Sequence, residues 1–304
     1  MTIQDYGAHA RRIVTGRATT GTVETLSPYV KRHRRNLATR QTRIETALAR
    51  IRAVAHDRGL LRALLLAVKW VVWDGNALLA FIGYLYHRER DALRTFTFAG
   101  RTYSYFCHRY NNTWRNERAV EVPIIRALLE ENRGKRVLEV GDVLSHYIPV
   151  GHDVLDKYDG NDRVIRQDVA EYRTPKKYDL IVSISTLEHV GWDESPRDPQ
   201  KVQRAIANLK SMLAPGGQIV ATVPLGYNPA LDSIIRDGEL PFTRCSYMKR
   251  MPGDNRWLET DWPGVAGSEY NFHVSANALL IGTIENGGAP AATTAPPERP
   301  IRLP

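Results

Sequence analysis

Three carboxylates, one glycine and one imidazole in this chain have the types and spacing to do chemistry. Arg136 to Val140 is a short apolar, β-branched run closed by Gly141, with Glu139 inside it, and it reads as a buried strand that turns at the glycine. A glycine there has no Cβ, so the backbone can turn tightly and come close to a ligand. Val154-Leu155-Asp156 reads as a second strand ending in an acid, 17 residues past Glu139. A carboxylate at such a place can accept two charge-assisted hydrogen bonds from a diol. Asp168-Val169 follows. His189 stands just past a third strand, Tyr178 to Ser185, and an imidazole titrates near neutrality, which suits a base. Orienting its loop is the other role open to His189, and His146 and His273 are the alternative bases.

The elements around these residues must hold them at one edge of a sheet. Strands alternate with helical patterns, which implies a parallel sheet with helices on both faces and a ligand at the strands' carboxyl ends. Asp198-Pro199 reads as N-cap and first residue of a helix whose apolar positions Val202, Ala205, Ile206, Leu209, Met212 and Leu213 face the sheet. Ala214-Pro-Gly-Gly217 turns into a strand over Gln218 to Val223, and Arg244 to Arg250 and Asn277 to Ile284 read as a closing pair. Upstream, Phe96 to Phe106 alternates aromatic and polar residues around Ala99-Gly100, a β-hairpin signal. A polar stretch, His108 to Arg118, then leads into a helix ending near Asn132, with Asn116 as a possible N-cap.

Taken in order, Glu139-x-Gly141, Asp156, Asp168, a strand with Leu187-Glu-His-Val190, an amphipathic helix and Leu213-Ala-Pro-Gly-Gly217 with its strand resemble the class I S-adenosylmethionine-dependent methyltransferases over roughly residues 118–225. The resemblance implies a Rossmann-like, seven-stranded, mostly parallel α/β sheet with helices on both faces. Here an N-terminal helical and β-hairpin extension precedes it. It also implies S-adenosyl-L-methionine as cofactor, with Glu139, Gly141, Asp156, Asp168, Val169, Ser185 and Arg118 around it. Asp168 would take the adenine amino group beside Val169, and Thr113, Asn116 and Arg118 would grip the methionine carboxylate. Val143 and Ser145 depart from the family's second and third glycines, which keeps a non-catalytic binding protein among the readings.

Trp192, Tyr227 and Asn228 fall in loops at the same edge, and an aromatic face with amide and hydroxyl groups suits a sugar, glycan or glycosylated metabolite. O-methylation of such a small-molecule or glycan hydroxyl is the resulting expectation, and a lipid or quinone acceptor at a membrane face is its rival. Asp193, Glu194 and Asp198 share one loop and could hold a magnesium ion, but three acids on one loop are more often just solvated, so no metal is assigned. Zinc spacing, a P-loop and a G-x-S-x-G elbow are all lacking.

A 43% hydrophobic content supports a sizeable core in 304 residues. The net charge of +9 lies entirely in residues 1–62, where thirteen Lys and Arg face four acids; the remainder carries 29 of each sign. Residues 1–58 therefore read as a basic, partly disordered arm, with an amphipathic helix from Thr42, suited to an anionic membrane surface more than to nucleic acid. Residues 59–117 read as apolar helices, broken near Asp74-Gly75, plus the hairpin lid. Residues 118–285 form the catalytic domain, and 286–304 a Pro/Ala/Thr-rich disordered tail. Arg62, Lys69 and Asp74 interrupt the apolar run too often for a spanning helix, so packing of these helices against the main domain is expected, with interfacial membrane attachment through Trp70 and Trp73 as the rival. Two distant cysteines, Cys107 and Cys245, and no apolar leader suggest a cytoplasmic protein, peripheral to the membrane.

Overall fold

The computed structural model describes residues 60–69, 77–159, 161–271 and 275–287. The expectations for the arm, the break near Asp74, Trp70, Trp73, His273 and all of the tail past Gly287 lie outside the described residues. Two compact units divide the chain, residues 1–72 and 73–304. In the first, helix α1 (Leu60–Lys69) is described, and its Leu60, Leu64, Leu65 and Val68 are exposed. Among the described residues no helix is long and apolar enough to cross a membrane.

The second unit opens with helix α2 (Ala77–Ala92) and the antiparallel hairpin of β1 (Thr95–Phe98) and β2 (Arg101–Ser104). Ala99 and Gly100 both have positive φ, which lets the two-residue turn follow the twist of its strands. Helix α3 (Arg118–Glu131) follows, then β3 (Val137–Val140), β4 (Asp153–Leu155), β5 (Val164–Ile165) and β6 (Tyr178–Ile184). Helix α4 (Lys201–Ser211), β7 (Leu213–Pro224), helix α5 (Pro229–Arg236), β8 (Arg244–Arg250), β9 (Trp257–Thr260) and β10 (Ala278–Glu285) complete it.

One sheet gathers eight strands in the order β5-β4-β3-β6-β7-β10-β8-β9. From β5 to β7 every pairing is parallel, and from β7 onward every pairing is antiparallel. The α/β, Rossmann-like expectation holds, with one strand more than seven. Strand β9 is short and does not alternate; its buried Trp257 anchors it, with the backbone N–H donating to Tyr105 Oη (2.8 Å) and the indole to Asn255 Oδ1 (3.1 Å).

Successive residues of the central strands serve opposite faces, and two apolar cores result. Leu138, Ile181, Ile219 and Leu280 pack with Val202, Ala205, Ile206 and Leu209 of α4 and Leu231 of α5. Val137, Leu180, Val182, Val220 and Leu279 pack with Val120, Val122 and Ile125 of α3 and with Phe96 and Phe98 of the hairpin. The sequence expectation erred at two junctions. Helix α4 starts at Lys201 and not at Pro199: Asp198 stands one turn ahead of it, its carbonyl accepting from Lys201 N (3.0 Å) and its carboxylate paired with Arg204. Ala214 to Gly217 does not precede β7 but belongs to it, with Gly217 so close to the Tyr178 carbonyl that a Cβ would lie 2.8 Å away.

Leu180 lies fully buried in the middle of the sheet. Leu180→Ala should cost about 2–5 kcal/mol, the usual range for such a truncation. A urea midpoint lowered at unchanged slope checks this.

Candidate functional site

At the carboxyl ends of β3, β4 and β6 lies a cavity of about 360 Å³, walled by the loops that follow those strands. Gly141 begins the first loop at φ +86°, and a Cβ there would fall 2.1 Å from Thr186 Oγ1. Only glycine allows the β3 and β6 ends to approach this closely. The loop is then held by Glu139, which is fully buried. Its Oε1 accepts the N–H of Val143 (3.0 Å) and Leu144 (2.8 Å), and its Oε2 faces His152 Nε2 (2.9 Å). Glu139 thus shapes the cavity from behind and does not line it.

Asp156, just past β4, lines the cavity and also organises its backbone. Its Oδ1 accepts from Tyr158 N (2.7 Å) and Asp159 N (2.9 Å), and its Oδ2 from Asp142 N (3.0 Å). A carboxylate has about four acceptor positions, so one on Oδ2 remains for a ligand.

Asp168 and Val169 line the next wall. The Asp168 carboxylate meets Lys201 Nζ (2.5 Å) and Lys157 Nζ (2.9 Å), and both lysines also meet Glu194. Burial raises Asp168, but the two ammonium groups outweigh it and bring its pKa to about 2. Lys157 and Glu194 line the cavity too, and the sequence reading assigned neither a cofactor role. Lys157 directly follows the strand-ending acid, which was the available signal.

The third wall comes from the end of β6. His189 lines it, with Thr186 and Val190, in a short 3₁₀ turn. His189 Nδ1 lies 2.6 Å from Asp193 Oδ2, and the Tyr227 hydroxyl donates to the same oxygen at 2.7 Å. Burial raises Asp193, but the bonds from His189 and Tyr227 hold it below its ordinary value. An ionised carboxylate only accepts, so Nδ1 carries the proton and Nε2 is the nitrogen left to act as base. Burial opposes the imidazolium, yet Asp193 and Glu188 together raise the His189 pKa. Glu188 Oε1 is 3.6 Å from Nε2, while Oε2 is sealed from solvent without a hydrogen-bond partner. Burial pushes the Glu188 carboxyl to about 7.

The remaining expected residues fall behind or beside the cavity. Ser185 (φ +41°) donates to Glu121 Oε1 at 2.6 Å, and the largely buried Arg118 pairs with Glu121 Oε2. Neither lines the cavity among the described residues. Thr113 is bonded to Phe106 O and to His108 N, and Asn116 to Asn111 O, so both knit the segment before α3. Trp192 is half-buried under the Arg197 guanidinium, 4.3 Å from the ring centre. Asn228 is buried and caps α5, accepting from Ala230 N and Leu231 N and donating to Glu188 O; its functional groups face the protein. Asp193, Glu194 and Asp198 do not converge, since each meets a different basic partner: His189, the two lysines and Arg204.

No family model and no curated protein matches the chain. Solved structures do. One is the N-methyltransferase NodS from Bradyrhizobium japonicum WM9 in complex with S-adenosyl-L-homocysteine: 16% identity, 67% of this chain and 98% of that one, TM-score 0.34. Another is a SAM-dependent O-methyltransferase from Thermotoga maritima: 16% identity, 53% and 63%, TM-score 0.30. A third is the magnesium protoporphyrin IX methyltransferase from Synechocystis PCC 6803 with bound SAM: 13% identity, 53% and 76%, TM-score 0.30.

Gly141→Ala should destabilise the protein by at least about 1 kcal/mol, through the positive φ and the Thr186 contact. Adding Thr186→Ala should recover part of that loss and leave the φ strain. Thermal melts of the single and double variants check both.

Proposed function

We propose that this chain is an S-adenosylmethionine-dependent methyltransferase that methylates a hydroxyl group. The observation that carries the reading is the placement of one cavity at the carboxyl ends of β3, β4 and β6, where Gly141, Asp156, Asp168, Val169 and His189 all contribute to its walls. The residues present fit the cofactor. Gly141 lets the first loop turn at positive φ directly against Thr186, Asp156 Oδ2 keeps an acceptor for a ribose hydroxyl, and Val169 offers an apolar face for a base. When bound, the cofactor supplies an electrophilic methyl group on a sulfonium.

The chain's own part is to align the acceptor and take its proton. His189 Nε2 receives that proton, and Asp193, bonded at Nδ1, fixes the tautomer and stabilises the resulting imidazolium. Glu188, 3.6 Å from Nε2, adds a second stabilising carboxyl. Tyr227 holds Asp193 through its hydroxyl and meets the His189 ring edge-on at 4.7 Å, so it positions the base. A sugar, glycan or glycosylated metabolite is the acceptor class this reading favours from the composition of the loops, although Tyr227, Asn228 and Trp192 are each engaged with protein groups. We also propose that residues 1–62 contact anionic lipid, given their surplus of nine positive charges and the exposed apolar side chains of α1.

Incubation with methyl-labelled cofactor and a panel of glycans, glycosides and quinols, read by mass spectrometry, tests the activity. Label on a hydroxyl of a sugar-bearing acceptor is the expected result, and label on none counts against it. His189→Gln should lower turnover by about two to four orders of magnitude with cofactor affinity kept. Wild-type turnover should rise with pH through an inflection above 6.5, the ordinary histidine value, and then level off, because the raised pKa keeps Nε2 protonated to higher pH. Asp193→Asn should move that inflection down. Full-length protein should also co-sediment with anionic vesicles at low salt and release as salt rises, and deletion of residues 1–58 should abolish this.

A further inference from the structure

At the wall of the cavity, which Asp142 lines, three donors that the proposed reaction does not use converge. Asp142, His146 and Asp159 each offer one ligand atom, and these atoms lie within 4.8 Å of one another. The three come from two loops: Asp142 and His146 follow β3, and Asp159 follows β4. Asp142 is only 8% exposed, and its Oδ1 is sealed from solvent with no hydrogen-bond partner. A buried carboxylate oxygen left in that state is costly unless a cation or a proton meets it. Burial raises the Asp142 carboxyl; Ser145 and His146 oppose this, and the nearby Asp159 charge adds to it.

Two protein features hold the donors in place. The Asp156 carboxylate bonds the backbone N–H of both Asp142 (3.0 Å) and Asp159 (2.9 Å), so one side chain ties the two loops together. The Tyr110 ring stacks on the His146 imidazole at 4.4 Å, fixing its plane. Three donors bonded to one ion at about 2.1 Å in a tetrahedral arrangement stand about 3.4 Å apart, so side-chain adjustments of up to about 1.4 Å bring these atoms onto one ion.

We propose that Asp142, His146 and Asp159 bind a divalent transition-metal cation that clasps the loops after β3 and β4. Two carboxylates with one imidazole favour manganese- or zinc-like ions over calcium, whose sites are all-oxygen. Three protein ligands leave coordination positions for water. The competing account is a proton on Asp142, shared with Asp159, in which case no cation is needed.

The test is titration of chelator-treated full-length protein with manganese chloride, followed by calorimetry and by the electron paramagnetic resonance of free manganese. The expected result is one saturable site per chain, weakened by about 10-fold or more in His146→Gln and in Asp159→Asn. Asp198→Asn, at an acid remote from this cluster, should bind as the wild type does. His146 is exposed, so His146→Gln should fold normally, which circular dichroism of the metal-free variant verifies. Absence of saturable binding up to about 1 mM overturns the proposal in favour of the shared proton. So does equal affinity in the wild type and both ligand variants, which would place the metal elsewhere.

Discussion

A single buried carboxylate, Glu121, ties together three elements at the carboxyl end of the sheet. It sits on α3 with no exposure, its Oε1 accepts hydroxyl protons from Ser185 (2.6 Å) and Thr222 (2.6 Å), and its Oε2 pairs with Arg118. Three elements, α3 and the ends of β6 and β7, therefore meet at one charge. Such a group is tolerable only when every bond is made, because a buried charge that loses a partner costs several kcal/mol. The consequence reaches the cavity. Ser185, held in a positive-φ turn, sets the direction of the chain into Thr186 and His189, so the position of the imidazole is fixed from behind the sheet.

Glu139 does the same for the first loop, and Asp156 for the second. In all three cases the acid's first job in the structure is to satisfy backbone or hydroxyl donors; Glu139 and Asp156 stood out in the sequence, whereas Glu121, inside a helix, did not. Only Asp156 both organises backbone and faces the cavity. The arrangement separates labour: buried acids on strands and α3 hold geometry, while His189, Asp193 and Lys157 line the cavity. Rigid placement of this kind is what proton transfer and in-line displacement require.

How much of this was legible follows from what each signal depends on. The buried strands, the hairpin at Ala99-Gly100 and the apolar face of α4 depend on local periodicity, and the sequence showed them. The order of acids along the chain was legible too, Glu139 inside one strand and Asp156 just past the next. Strand β5 has two residues and β9 four, too short for any period, and α5 was missed because Asn228 was read as a binding residue and not as its N-cap. The Lys157–Asp168–Lys201–Glu194 cluster was equally hidden, since its members come from four separate segments that only the sheet brings together. The Asp142–His146–Asp159 group was invisible for the same reason. Trp192 illustrates the opposite error: a side chain with the right chemistry, at the right edge, whose face is covered by Arg197.

The proposed function stands on the cavity at the carboxyl ends of β3, β4 and β6 being a cofactor site built on Asp156. Isothermal titration of the full chain with S-adenosylmethionine, repeated on Asp156→Asn, decides it. The account requires one site per chain, competition by S-adenosylhomocysteine, and a loss of about 1.5–3 kcal/mol in the folded variant, the worth of a hydrogen bond to a charged group. No heat of binding in the wild type, or the same affinity in Asp156→Asn, would contradict it.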